Sequence, residues 1–264
     1  MTAASADGTW RVLADDGGRD ALRNLALDEA LGRTAGPVPT VRLWRNGPCV
    51  VLGRFQVTAA EVDARACREL GVPVYRRFTG GGAVYQDPGN LNVTIVVRRD
   101  DPHLAGRIES SRLPDLYRLV LEPLAAAARS LGPAAVAAER DLMVGRTKLG
   151  GVAAWIGREA LLVHGTLLVD ADLATLESVL AGPGAPGDPR WERTRSRRSP
   201  VTSLAREAGA TGRSGLDPAT VDAAVVAAVT HGAGRAGSVT EDEAASTARL
   251  MQVRYAQPGW HEHG

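Results

Sequence analysis

Three consecutive glycines, Gly80-Gly81-Gly82, follow two arginines and precede a run that turns at Pro88-Gly89 into the β-branched stretch 91–97. Glycine triplets cost conformational entropy and pack nothing. They persist where backbone takes a positive φ or where something must approach it closely. With Arg76 and Arg77 just upstream, exposed N–H groups would lie beside guanidinium forks, an arrangement suited to a phosphate or a carboxylate. The loop is neither of the common phosphate loops, because no Gly-Lys-Ser/Thr follows and the Gly-x-Gly-x-x-Gly of a dinucleotide turn is missing. Residues 73–77 lead into it as a strand and 91–97 lead out as another.

The surrounding pattern sets the fold class. Residues 10–13 read as a short edge strand, and Leu22, Leu25, Leu27 and Leu31 mark a helix capped by Asp20 and stopped at Gly32. Strands at 41–44 and 49–52 are expected to form a hairpin through Asn46-Gly47. A helix over 60–70 follows. A longer amphipathic helix over 113–131 contains Pro123, which should kink or break it. Strands are expected at 136–138, 142–144, 148–156 and 160–169, the last two joined at Gly157-Arg158-Glu159. A short helix ends near Leu180, residues 181–198 read as a mobile loop rich in Gly, Pro and Arg, and helices over 217–231 and 241–255 complete the pattern. Strands and helices come in blocks, which predicts α+β with a largely antiparallel sheet. With no internal repeat and no linker, 1–264 reads as a single catalytic domain.

Charge excludes several partners. The 264 residues carry 31 Lys plus Arg against 30 Asp plus Glu, so no global field invites nucleic acid or an anionic membrane. No apolar tract reaches spanning length and the first residues lack a signal-peptide pattern, so a cytoplasmic protein is expected. Cys49 and Cys67 are too few for a disulfide scaffold or a thiolate zinc site, and Cys49 reads as a small core residue. His103, His231, His261 and His263 show no metal-ligand spacing.

A second constellation is Lys148 with Gly150-Gly151, followed by His164-Gly165-Thr166 on the next strand. Lys148 is the only lysine among 31 cationic side chains. A composition that otherwise uses arginine throughout has kept one compact, multi-donor ammonium.

Together the two constellations resemble the lipoate–protein ligase family, within the biotin and lipoate ligase fold shared with class II aminoacyl-tRNA synthetases. The family's Arg-Arg-x-Ser/Thr-Gly-Gly-Gly-Ala-Val-Tyr/Phe-His-Asp-x-Gly-Asn signature is matched from Arg76 to Asn90. Its lysine loop and His-Gly-Thr-Leu-Leu strand are matched by Lys148, Gly151 and His164 to Leu168. The resemblance implies mostly antiparallel sheets flanked by helices and a site for ATP and acyl-adenylate. That site would comprise Arg76, Arg77, Gly81, Gly82, Ala83, Val84, Tyr85, Asn90, Gly151, His164, Gly165 and Thr166. Lys148 would be catalytic, between the acyl carboxylate and the α-phosphate, and Asp141 a candidate ligand for Mg2+. The implied activity joins lipoate or octanoate, through acyl-AMP, to a lysine of a lipoyl carrier domain of the 2-oxoacid dehydrogenase E2 or glycine-cleavage H type.

Three positions depart from the family pattern: Gln86 stands for the signature's histidine, Arg140-Asp141 for an Asn-Asp pair, and Val163 for the first of two histidines. The chain is also expected to be a short form lacking the family's C-terminal accessory domain; either a separate accessory protein supplies that part, or the protein does not need it, or it does not adenylate. The alternatives are an octanoyl or lipoyl transferase working through a cysteine thioester, or a non-catalytic acyl- or nucleotide-binding partner of another ligase. A biotin ligase is disfavoured because its Gly-Arg-Gly-Arg loop is missing.

Overall fold

The computed structural model describes residues 8–14, 18–101, 112–180, 196–212 and 215–262. Most of the 181–198 segment, with His103 and His263, lies outside them. Eleven strands among the described residues make two sheets. The large one has eight, in the order β11-β1-β2-β6-β10-β9-β8-β7. Their ranges are β1 Trp10–Ala14, β2 Thr40–Trp44, β6 Asn90–Arg98, β7 Ala135–Ala138, β8 Asp141–Val144, β9 Thr147–Ile156, β10 Ala160–Leu168 and β11 Gly234–Ala236. The small sheet places β3 (Cys49–Leu52) between β4 (Val74–Arg76) and β5 (Val84–Gln86). Antiparallel pairs predominate, as expected, but β1 runs parallel to β2 and β11, and β3 runs parallel to β4.

One face of the large sheet carries Val41, Leu43, Val93, Ile95 and Val163. It is covered by α4 (Leu113–Ser130) and α7 (Pro218–Thr230). The other face lies under α1 (Ala21–Arg33), which is buried on nearly every side and packs outward against α8 (Glu241–Leu250). Asp20 caps α1 as expected, accepting from the N–H groups of Leu22 and Arg23 at 3.0 and 3.2 Å.

Three local expectations need correction, and of the kink or break expected at Pro123 the break is excluded. β2 and β3 do not form a hairpin and belong to different sheets. A type I′ turn needs positive φ at both central residues, and neither Asn46 nor Gly47 has it. The Gly47 N–H instead donates to the Arg19 carbonyl at 3.0 Å, and the Asn46 side chain turns inward. The expected helix over 60–70 is two, α2 (Thr58–Glu61) and α3 (Ala64–Glu69), because Asp63 starts a new N-terminus by accepting from Arg65 and Ala66. α4 is continuous through Pro123, held by Val120, Leu121 and Leu124 in the core. β1 is not an edge strand, because β11, too short to stand out in the sequence, pairs beside it.

After α5 (Leu173–Val179) and α6 (Leu204–Ala210), α8 runs into a π-helical turn, Met251–Tyr255, and then α9, Pro258–Glu262. This last segment grips β4: the Arg76 N–H donates to His261 Nδ1 at 3.0 Å, and Trp260 Nε1 donates to the Arg76 carbonyl at 2.8 Å. The backbone leading into the glycine loop is thereby fixed from a point far away in sequence.

Candidate active site

The glycine loop crosses from β4 to β5 over the α1-covered face of the large sheet. Its geometry depends on two glycines in particular. Gly81 has φ +89°, a conformation open mainly to glycine. Gly53, just after β3, lies so close beneath it that an added Cβ would stand 2.0 Å from the Gly81 carbonyl oxygen.

Both arginines hydrogen-bond backbone carbonyls around the loop. Arg76 Nη1 donates to the carbonyls of Gly53 and Gln56 at 3.0 and 2.6 Å. Arg77 Nη2 donates to the carbonyls of Gly80 and Gly82 at 2.6 and 2.9 Å, and its Nε donates to Thr79 Oγ1 at 2.9 Å. Burial lowers the Arg77 pKa to about 10, with the Tyr117 side chain opposing the shift. By holding carbonyls, Arg77 turns the loop's N–H groups the other way. The Ala83 N–H and Gln56 Nε2 converge on one oxygen, Ser196 Oγ, at 2.8 and 3.1 Å. Two donors meeting at one oxygen is the geometry an anion's oxygen would use.

Two cavities of about 300 and 210 Å³ flank this point, and both are lined by Lys148, Gly151, Thr166, Ala83 and Val84. The first also reaches Leu25, Trp44, Val51, Ala153 and His164. The second adds Tyr85, Leu168, Leu176 and Val201. Lys148 enters from β9, where the register with β8 shifts at Leu142/Met143, and its backbone is pinned on the other side by Pro200 and Thr202. Its ammonium is ion-paired with Asp141 at 2.6 Å, the two side chains 27% and 25% exposed, so they share the cavity mouth. Gly151 lies against it, where a Cβ would come within 3.1 Å of Nζ. Among the described residues no three His, Cys, Asp or Glu side chains are placed to hold a metal, and Asp141 is engaged by the lysine.

The expected site residues therefore divide. Lys148, Arg77, Gly81 to Val84, Gly151, His164, Gly165 and Thr166 line the first cavity, and Tyr85 lines the second. Arg76 and Asn90 line neither. Asn90 is buried at the start of β6, donating to Asn92 Oδ1 at 3.3 Å.

His164 belongs to a buried polar network that sequence reasoning missed. Asp28, on α1, accepts from Arg42 Nη1 (2.9 Å) and Thr94 Oγ1 (2.9 Å) and bonds His164 Nδ1 at 3.0 Å. On the other ring nitrogen, His164 Nε2 meets Thr79 Oγ1 at 2.8 Å. The Asp28 carboxylate oxygen beside Nδ1 accepts, so Nδ1 carries the proton of the neutral imidazole and Nε2 accepts from the Thr79 hydroxyl. Asn24, one turn before Asp28, accepts from Arg42 Nη2 and donates to Asn46 Oδ1 at 2.9 Å. A continuous run of polar groups thus links α1 and the sheet to the glycine loop.

Burial lowers the His164 pKa, with Asp28 opposing the shift and Arg77 reinforcing it. Burial likewise lowers that of His261. A histidine held neutral in the folded chain contributes full stability above its unfolded pKa of about 6.5 and loses it as the pH falls further, because the unfolded chain takes up the proton first. The urea midpoint of the wild type is expected to fall on acidification from about pH 7.5 to 5.5, across that pKa. The fall should be shallower in His164→Gln, and equal slopes for the two proteins would count against this assignment.

A family model described as the lipoyl protein ligase A/B catalytic domain matches residues 20–230. A lipoate-protein ligase A subunit 1 from Thermoplasma acidophilum is 34% identical over 164 residues, 61% of this chain and 63% of that protein. The chain thus spans less than two thirds of that relative's length. An octanoyltransferase, LipM, from Moorella thermoacetica is 32% identical over 199 residues, covering 66% and 70% of the two chains. Among solved structures, a T. acidophilum protein with bound lipoic acid superposes with a TM-score of 0.75 at 26% identity, covering 97% and 98%. A lipoate-protein ligase A bound with ATP gives 0.75 at 27% identity with the same coverage.

Proposed function

The chain belongs to the lipoyl protein ligase A/B catalytic domain family, and from that membership we propose that it is an ATP-dependent lipoate–protein ligase. The observation that carries this reading is the position of Lys148, the chain's single lysine, where the two cavities meet beside the converging donors of the glycine loop. An acyl chain lies in the first cavity, a nucleotide in the second, and the acyl carboxylate and α-phosphate meet at the ammonium. The carboxylate oxygen attacks the α-phosphorus and pyrophosphate leaves. The amine of a carrier lysine then attacks the acyl carbonyl and AMP leaves. Both transition states concentrate negative charge where Lys148 and the Ala83 N–H can meet it, which is electrostatic preorganisation. Magnesium fits this scheme as an ion carried with the nucleotide's phosphates rather than held in a protein cage.

A lipoyl carrier domain is the acceptor in this reading. The Thermoplasma relative is named as subunit 1, which supports a second polypeptide as a working partner. Incubation with ATP, magnesium and lipoate should give an acyl-adenylate by mass spectrometry. Absence of the adenylate, with and without a candidate accessory protein, would overturn the proposal.

Gly53→Ala supplies a second check. Its Cβ has no space below the Gly81 carbonyl, so the loop must move by the better part of an ångström, and adenylate formation is expected to drop about 100-fold. A change of less than threefold in a folded variant would show that the loop is not part of the site.

The thioester transferase alternative needs an activated thiolate beside the lysine. Burial raises the Cys49 thiol to about 12, and that residue is 1% exposed and lines neither cavity. Cys67 is also buried, on α3. Acyl transfer from a carrier thioester in the absence of ATP would nonetheless favour it over the ligase.

A further inference from the structure

The buried lining of the first cavity includes two amide side chains. Its mouth carries the exposed Arg140 and Arg197 and the half-buried Lys148, whereas the buried residues lining it include Gln86 and Asn92 beside Leu25, Trp44 and Val51, none of these five more than 3% exposed. A plain alkyl tail would need only the aliphatic and aromatic part of that lining. Asn46 Nδ2 donates to Gln86 Oε1 at 2.6 Å, and Gln86 Nε2 donates to Asn92 Oδ1 at 2.7 Å. Asn90 Nδ2 adds a third donor to the same Asn92 oxygen, at 3.3 Å.

This line of amides fixes the orientation of Asn92. Its oxygen is used twice, and its Nδ2, fully buried, has no hydrogen-bond partner among the described residues. The neighbouring indole offers no relief, since Trp44 Nε1 donates to Thr94 Oγ1. A buried amide N–H left without an acceptor is destabilising and uncommon in native proteins unless water or a ligand completes it.

We propose that the buried part of this cavity selects a medium-chain carboxylate whose far end carries a hydrogen-bond acceptor, oxygen or sulfur, over a plain alkyl chain, with Asn92 as the specificity-determining residue. The inference rests on the assignment of the first cavity to the acyl chain. An acceptor at the chain end meets the Asn92 amide, whereas a terminal methyl leaves that donor dry and unpaired. Sites built to hydrogen-bond a substrate group discriminate against the analogue lacking it for this reason.

The test is calorimetric titration of the full chain, without nucleotide, with octanoate, 8-hydroxyoctanoate and lipoate, followed by adenylate formation from each with ATP. The wild type is expected to bind 8-hydroxyoctanoate at least tenfold more tightly than octanoate. Lipoate should fall on the hydroxy acid's side if its ring sulfur serves as the acceptor. Asn92→Leu, close in volume, should bring octanoate and the hydroxy acid to within about threefold; if it does not fold, the wild-type ratio decides alone. Equal affinity of the wild type for the two chains would overturn the inference and leave the ligase reading standing. Selective binding of the hydroxy acid with no adenylate from any chain would do the reverse, and no binding of any of the three would sink both.

Discussion

Lys148→Arg is expected to lower acyl-adenylate formation by roughly 10²–10³-fold while leaving the protein folded. The side chain is about a quarter exposed and its ion pair with Asp141 is at the cavity mouth, so little stability depends on it. What changes is the placement of charge. An ammonium presents three rotatable donors at one point, whereas a guanidinium is a planar fork on a longer stem and cannot put the same point charge between a carboxylate and a phosphate. Gly151, which leaves space under Nζ and Cε, would not make up the difference in shape. Single-turnover adenylate formation, measured beside an unfolding curve, checks this. A rate within tenfold of the wild type would remove Lys148 from its proposed role.

Asp28→Ala should have the largest effect on stability of any single change in the site. Asp28 is the common acceptor of Arg42, Thr94 and His164, and neither it nor Arg42 is more than 1% exposed. Removing one partner of such a pair leaves a buried, uncompensated guanidinium and typically costs about 3–5 kcal/mol. That is a large part of the 5–15 kcal/mol by which domains of this kind are ordinarily stable. Guanidinium unfolding is the measurement, and a loss below about 1 kcal/mol would mean that Arg42 finds another anion or water. Asp28→Asn, which keeps shape and removes charge, should fall between the wild type and Asp28→Ala.

These two residues also mark how far the sequence could be read. Lys148 was legible because composition made it conspicuous, and the glycine loop because three adjacent glycines are hard to explain otherwise. The fold class was legible from the blocks of strands and helices. Asp28 and Arg42 were not singled out, since nothing in the local pattern of α1 or β2 shows that the two would be buried against each other. A signal did exist: Asn90, Asn92 and Thr94 alternate with Leu91, Val93 and Ile95 along β6, and Asn24 and Asp28 lie one turn apart on α1. Alternation of that kind ordinarily means a solvated face. Here the polar face of the strand is covered by a polar stripe of a helix, and only tertiary packing brings the two together. The Asn46-Gly47 signal failed for a related reason, because Asn46 is used as a buried hydrogen-bonding group linking Asn24 to Gln86. The arginines before the glycines were rightly tied to the loop, but composition does not show which carbonyls a guanidinium will meet: both hold backbone carbonyls, and Arg77 also lines the first cavity.

The pairing of β1 with β11 bears on how the molecule is made. Trp10 lies opposite Gly234, Arg11 is ion-paired with Glu243, and Arg76 is held by Trp260 and His261. During synthesis, then, β1 waits for a neighbour more than two hundred residues downstream, and the strand leading into the glycine loop waits for partners 184 and 185 residues downstream. Such distant partners raise contact order and slow folding. A nascent chain halted before Gly234 would hold the lysine and the glycines but leave an open sheet edge, the kind of surface that chaperones cover.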